Sequence, residues 1–260
     1  MNNLRFVFFC IFFLQFMFYL PSLCQEPLQI STETEDLSLT DDVNIARAQV
    51  IKYPDSPEAH FNLAIAFSRT SLVEEAIKEL RKTKLLLRKK ENEGLIDKKI
   101  SEYIEMLKNH SRVASLNNVR YRLAFSYYLK AYLISKALEK EARLNRNNYS
   151  KNDLFEPDKL LLKYNNPQIK EYLDQCIFYF NDLLRIDPND EWAKVYLAFV
   201  FAEQMGDITK AKTLWSEVQK NNPNNPAPYF FLGELHIKEG KLKNGFKEIA
   251  QALFLRSLGN

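Results

Sequence analysis

Glycine, histidine and cysteine are scarce in this chain of 260 residues, which contains six, three and three of them. A β-barrel or β-sandwich uses glycine in many of its turns, so its scarcity favours long helices. The histidines share no helical face and no cysteine or aspartate cluster joins them, which argues against a zinc site. A net charge of only +3 does not indicate nucleic acid as a partner.

The same scarcity leaves no catalytic motif. The six glycines fall at turns, helix contacts or the chain end, so none is free for a phosphate-binding loop. His60 and His236 occupy aromatic positions of a helical pattern, where a packed imidazole is the ordinary role, and His110 falls at a predicted helix end. Cys176 stands at a small-residue position and is expected to be a buried thiol rather than a nucleophile. We therefore expect no enzymatic activity, cofactor or metal.

The longest apolar run lies near the N-terminus. Residues 6–20 are apolar except for one glutamine, and 15 residues are fewer than the ~20 of a membrane-spanning helix. Pro21 ends the run, so residues 1–24 are typical of a secretory signal peptide. Export to the periplasm or cell envelope follows. Two alternatives stay open, an uncleaved membrane anchor and a lipid on Cys24.

A change of composition separates this segment from the fold. Residues 25–39 carry four acids and no lysine or arginine, which is typical of a flexible acidic linker. Thr40, Asp41 and Asp42 then predict a helix start, with an N-cap and acids in the first turn, and we expect the folded region to span residues 40–260.

Beyond residue 40 the chain repeats itself. Phe180 and Trp215 are 35 residues apart, and Trp215 and Ile249 are 34 apart. Ser56 and Asn225 each precede a proline and predict helix starts. Small residues recur where two helices must approach closely: Ala64, Ala76, Ala198, Ala211, Gly233 and Gly245.

A helix pair that recurs every ~34 residues resembles the tetratricopeptide repeat family. The resemblance implies an all-α fold, an α-solenoid of antiparallel helix pairs wound as a right-handed superhelix, with an irregular middle repeat. The repeats are expected at about 57–90, 117–190, 191–225 and 226–259, with an insertion at 145–166 that holds a short helix at 159–163. Residues 95–107 predict a further amphipathic helix.

In the tetratricopeptide family, the first helix of each pair lines a concave groove. The corresponding residues here are mostly apolar or aromatic: Phe61, Ile65, Tyr121, Phe125, Tyr128, Phe199, Phe230 and Ile237. We expect this groove to bind an apolar or aromatic protein segment, with Tyr121, Phe125 and Tyr128 partly exposed at its centre. The alternative stays open that these side chains pack against an added helix, such as residues 95–107.

Together these features predict an exported scaffold or adaptor that binds another protein within a cell-envelope assembly. The alternative is a structural spacer or a subunit that associates with itself. No nucleic acid is expected, and a membrane enters only through an N-terminal anchor or a lipid on Cys24. Residues 78–90 carry seven lysines or arginines, which we interpret as a solvated helix face, with an acidic partner or an anionic membrane as the alternative.

The signal peptide gives a first testable prediction. N-terminal sequencing of the native protein is expected to begin at or near Gln25, because the short apolar run ends at Pro21. Retention of Met1 would establish the anchor instead, and a blocked, lipid-modified Cys24 would establish a lipoprotein.

Overall fold

The computed structural model describes residues 42–109, 113–146 and 166–258, and within them it contains helices and connecting turns but no strand. These ranges hold ten α-helices: α1 Val43–Lys52, α2 Pro57–Ser68, α3 Val73–Leu87, α4 Leu95–Asn109, α5 Val113–Arg146, α6 Pro167–Ile186, α7 Glu191–Val200, α8 Ile208–Asn221, α9 Pro226–Lys238 and α10 Leu242–Leu258. The all-α fold class is confirmed. The expected signal peptide, the linker, His110 and the short helix at 159–163 lie outside the described residues.

Two short segments depart from α-helical geometry. Lys90–Asn92 is a 3-10 turn before α4, and Phe201–Met205 continues α7 as one turn of π-helix. Gly206 ends that turn with a φ of 66°, a left-handed conformation that suits glycine.

Side-chain caps set the beginnings of several helices. The cap of α1 is Asp42, where the sequence predicted an acid of the first turn, and its oxygen accepts hydrogen bonds from the backbone N–H groups of Asn44 and Ile45, at 2.7 and 3.0 Å. Ser56 and Asn225 cap α2 and α9 in the same way, and each is followed by a proline at the first helical position. These caps satisfy N–H groups that no helical carbonyl can reach.

Neighbouring helices pack together as α2 with α3, α5 with α6, α7 with α8 and α9 with α10, while α4 packs on α5. Aromatic rings join these pairs into a continuous core. The Phe125 ring meets the edges of Phe180 and Tyr196 at centroid distances of 5.6 and 5.1 Å. Trp215 of α8 stacks on Phe231 of α9 at 5.4 Å. The core therefore runs from α5 to α9 through ring contacts.

Cys176 of α6 lies within this core and is fully buried, as the sequence predicted. Burial raises the pKa of its thiol, because a thiolate there would be charged without water around it. This environment favours the neutral thiol, the less nucleophilic form.

Glycines allow α9 and α10 to approach closely. A Cβ atom added at Gly245 would lie 2.9 Å from the carbonyl oxygen of Gly233 and 3.0 Å from the backbone nitrogen of Ile237. A Cβ atom at Gly233 would lie 2.8 Å from the side chain of Ile249. Because backbone atoms line the space at Gly245, the contact excludes even alanine.

This contact predicts the effect of Gly245→Ala. The added methyl group forces α9 and α10 apart, so the variant is expected to lose about 1–2 kcal/mol of unfolding free energy despite the better helix propensity of alanine. Thermal denaturation followed by circular dichroism measures the change. Asn244→Ala, one residue away and exposed, is the control and should not lower the melting temperature. Equal melting temperatures for Gly245→Ala and the control would contradict the close contact.

Candidate binding surface

The predicted groove residues fall into two groups. Six of the eight are buried: Phe61, Ile65, Tyr121, Phe125, Tyr128 and Phe199. The expectation that Tyr121, Phe125 and Tyr128 are partly exposed is therefore wrong. Phe230 is partly buried and Ile237 is exposed, and both belong to α9.

Helix α3 explains why much of the expected groove is closed, because it packs on α5 and α9 as well as on α2. Lys84 of α3 donates a hydrogen bond to the Oη atom of Tyr128 and lies 2.9 Å from an oxygen of Glu203. Arg81 of α3 lies 3.2 Å from Glu234 of α9. The chain itself thus occupies the space that a ligand would need at Tyr128.

The interpretation of residues 78–90 as a solvated face is wrong at Lys84. This side chain is buried, and its ammonium group also lies over the rings of Tyr128 and Tyr132, at 4.5 and 4.6 Å from their centroids. Burial raises the pKa of Tyr128 well above its ordinary value, so its hydroxyl stays protonated and donates a hydrogen bond to Glu203. The cluster fixes α3 against α5 and the π-helical turn.

The added helix that the sequence predicted, α4, lies beside Phe61, the first of the predicted groove residues. Phe61 lines one small cavity together with Leu95 and Ile96 of α4. Ile96, Ile100 and Tyr103 are the buried residues of α4, which confirms the amphipathic helix over residues 95–107. The six buried groove residues therefore belong to the core.

An apolar surface is exposed on α10 instead. Leu242, Phe246, Leu253, Phe254 and Leu258 expose between 42% and 66% of their surface. By contrast, α3 and α6 each expose only one large apolar side chain, Leu85 and Phe178. Leu242, Phe246, Ile249 and Leu253 follow one another by four, three and four residues, so they form a single face of the helix, called here the α10 stripe.

The α10 stripe lies in register with two covered faces elsewhere in the chain. A step of 34 residues back from the stripe leads to four positions of α8, namely Ile208, Lys212, Trp215 and Gln219. A further step of 35 residues leads to four positions of α6, namely Leu173, Ile177, Phe180 and Leu184. None of these eight side chains is exposed. Helix α7 packs on α6 and helix α9 packs on α8.

On α10 the equivalent side chains are open, since Leu242, Phe246 and Leu253 are exposed and only Ile249 is partly buried. Ile237 of α9 packs over Gly245 beside the stripe and extends the surface. Contiguous exposed apolar surface of this kind marks interaction sites in soluble proteins. The α10 stripe is thus the candidate binding surface.

Of the eight predicted site residues, Ile237 lies beside this surface, and reasoning from the groove missed the stripe itself. The signal was nevertheless present in the sequence. The series Phe180, Trp215 and Ile249 marks the same position on the second helix of three successive pairs. Extending that register to Phe246 and Leu253 identifies the stripe.

In the ranges that the structure describes, none of the helices combines the length and apolarity that crossing a membrane requires. Acidic, histidine and cysteine side chains form no metal-binding group there either. Comparison with protein-family models and with curated proteins gave no match. The tetratricopeptide resemblance therefore stays a prediction, and the geometry of the chain carries the functional argument.

Truncation of a buried ring and of an exposed ring should change the free energy of unfolding by very different amounts. Phe125→Ala removes a ring from the core and is expected to cost about 3–5 kcal/mol of unfolding free energy. Phe246→Ala removes an exposed ring and should change it by no more than about 0.5 kcal/mol. Chemical denaturation of both variants measures the difference. Similar losses for the two would contradict the exposure of the α10 stripe.

Proposed function

We propose that this protein is a non-catalytic interaction scaffold of the tetratricopeptide type, which binds an apolar segment of another protein on the α10 stripe. The observation that carries the proposal is an open apolar face at positions that are covered on α6 and α8. The expected groove is a poorer candidate for the binding surface, because most of its residues are buried.

The solenoid of antiparallel pairs is part of the proposal, and contacts between α7 and α8 support it. Lys194 lies 2.5 Å from Glu217, and the Trp215 Nε1 atom donates a hydrogen bond to the carbonyl of Val195 at 3.1 Å. Ascending positions on α7 therefore meet descending positions on α8, as two antiparallel helices require. The right-handed superhelix belongs to the same proposal, on the basis of the family resemblance alone.

Contacts in two further pairs support the same order. Gly233 approaches Ile249 while Ile237 approaches Gly245, between α9 and α10. Between α5 and α6, Arg120 lies 2.5 Å from Asp182, and the Tyr127 ring stacks on that of Tyr172 at 6.1 Å. Stacked pairs of this type bury most of each outer face against the next pair, so an uncovered face is a place where another chain can add.

A location in a cell envelope is proposed from residues 1–24, whose composition is typical of a secretory signal peptide. With only Cys176 remaining after residue 24, the exported chain has no internal disulfide and depends on packing for its stability.

Site-specific photo-crosslinking tests the proposed function. Benzoylphenylalanine placed at Phe246 is expected to form an adduct with a distinct protein in the native envelope, because Phe246 lies within the stripe. The same group at Asn244, exposed on a different face of α10, is the control and should form no such adduct. Mass spectrometry identifies the product.

A second readout measures affinity once the partner is isolated. Phe246→Ala combined with Leu253→Ala is expected to weaken binding at least tenfold, since apolar side chains at an interface centre contribute about 2 kcal/mol or more. No adduct from Phe246, or equal adducts from Phe246 and Asn244, would rule out the α10 stripe as the binding surface.

A further inference from the structure

We infer that the partner docks on the α10 stripe as an amphipathic α-helix whose apolar face is bordered by acidic residues. The inference rests on the proposed function and narrows it to one class of ligand. Two independent observations carry it, the kind of element that covers the equivalent faces of this chain and the charges along the stripe.

The equivalent faces are covered by helices. On α8, Trp215 stacks against Phe231 of α9 with an angle of 5° between the rings. On α6, helix α7 packs beside this face, and Phe180 also meets the rings of Tyr121 and Phe125 of α5. Residues 242–253 extend over about three helical turns, or ~17 Å, which matches a short helix laid along them. An added helix would bury the stripe as α9 buries its counterpart on α8.

The charges along one edge of the stripe are basic, while Glu248 on the other side pairs with His236 at 2.7 Å. Lys243 and Lys247 each follow a residue of the stripe and are four positions apart, so they border it along one edge. Both are exposed, and among the described residues neither forms an ion pair. Acidic side chains on a docked helix would lie opposite this edge.

At the covered face of α8, an ion pair joins a lysine within the face itself, rather than at its edge, to the covering segment. The Nζ atom of Lys212, which is in register with Phe246, lies 2.9 Å from an oxygen of Glu239 at the end of α9. Hydrogen bonds from Lys241 and Lys212 lower the pKa of Glu239 to about 2, so its carboxylate is charged at neutral pH. A lysine on one helix and an acid on the covering element already meet at this junction.

The same charges disfavour a second copy of this chain as the occupant. In a two-fold antiparallel pairing of α10 with α10, the same edge of both helices comes to the same side. Lys243 and Lys247 of both copies would then face one another. Like charges brought together oppose that association, whereas an acidic helix has no such conflict.

Two matched synthetic peptides test the inference. Both are lactam-stapled amphipathic helices of about 15 residues with the same leucine face. One carries glutamate at the flanking positions and the other carries lysine. Fluorescence anisotropy with the full-length protein at low ionic strength is expected to show about tenfold tighter binding of the glutamate peptide.

Charge reversal provides the matched control. Lys243→Glu combined with Lys247→Glu should invert the preference between the peptides. Lys78→Glu combined with Lys82→Glu makes the same change of charge at two exposed positions of α3 and should leave the preference intact. Phe246→Asp should abolish binding of both peptides.

Two other outcomes would each refute one part of the inference. Equal binding of the two peptides, lost in Phe246→Asp, would refute the acidic border while the proposed function stands. If neither peptide binds while Phe246 still forms an adduct in the envelope, the partner does not dock as a helix.

Two further measurements test other occupants. A dimer in sedimentation that Phe246→Asp dissociates would make the occupant a second copy. If the protein is retained on phosphatidylglycerol vesicles and Phe246→Asp abolishes this retention, the occupant of the α10 stripe is a membrane. Either result would overturn both the inference and the proposed function.

Discussion

A pair of helices packed side by side still has an outer apolar face, and only another element can remove that face from water. Burial of apolar surface contributes about 25 cal/mol per Å². A helix pair that leaves such a face exposed to water is therefore less stable than one whose face is covered. This constraint explains why α7 lies on α6 and α9 lies on α8. It also explains why the exposed face of α10 is the feature from which a function can be argued.

The closed groove follows from the same constraint. Helix α3 contributes Ile77 and Leu80 to the core, and its burial against α5 and α9 covers the rings that would otherwise line an open channel. Taking the Lys84 ammonium group out of water opposes its attraction to Glu203, so this ion pair adds little net stability. The pair acts chiefly on specificity, since shifting α3 along its neighbours would leave the buried charge of Lys84 without its partner.

Much of the fold could be predicted from the sequence. Caps at Ser56 and Asn225, and the close contact at Gly233 and Gly245, depend on a few neighbouring residues or on one repeated spacing. The burial of Tyr128 could not be predicted, because it depends on where α3 lies relative to a helix more than forty residues away in the chain. Periodicity identifies an apolar face, but it does not identify which neighbour covers that face.

The candidate site could be found from sequence only by carrying the repeat register one step further. Within that register, the covered face of α8 includes Lys212 and Gln219, so the fold accepts polar side chains at these positions. The matching positions on α10 are Phe246 and Leu253, which are more apolar although they are exposed. If α10 faced only water, lysine and glutamine would serve the fold equally well and would avoid an adhesive surface. The apolar residues at these positions are therefore better explained by docking than by folding.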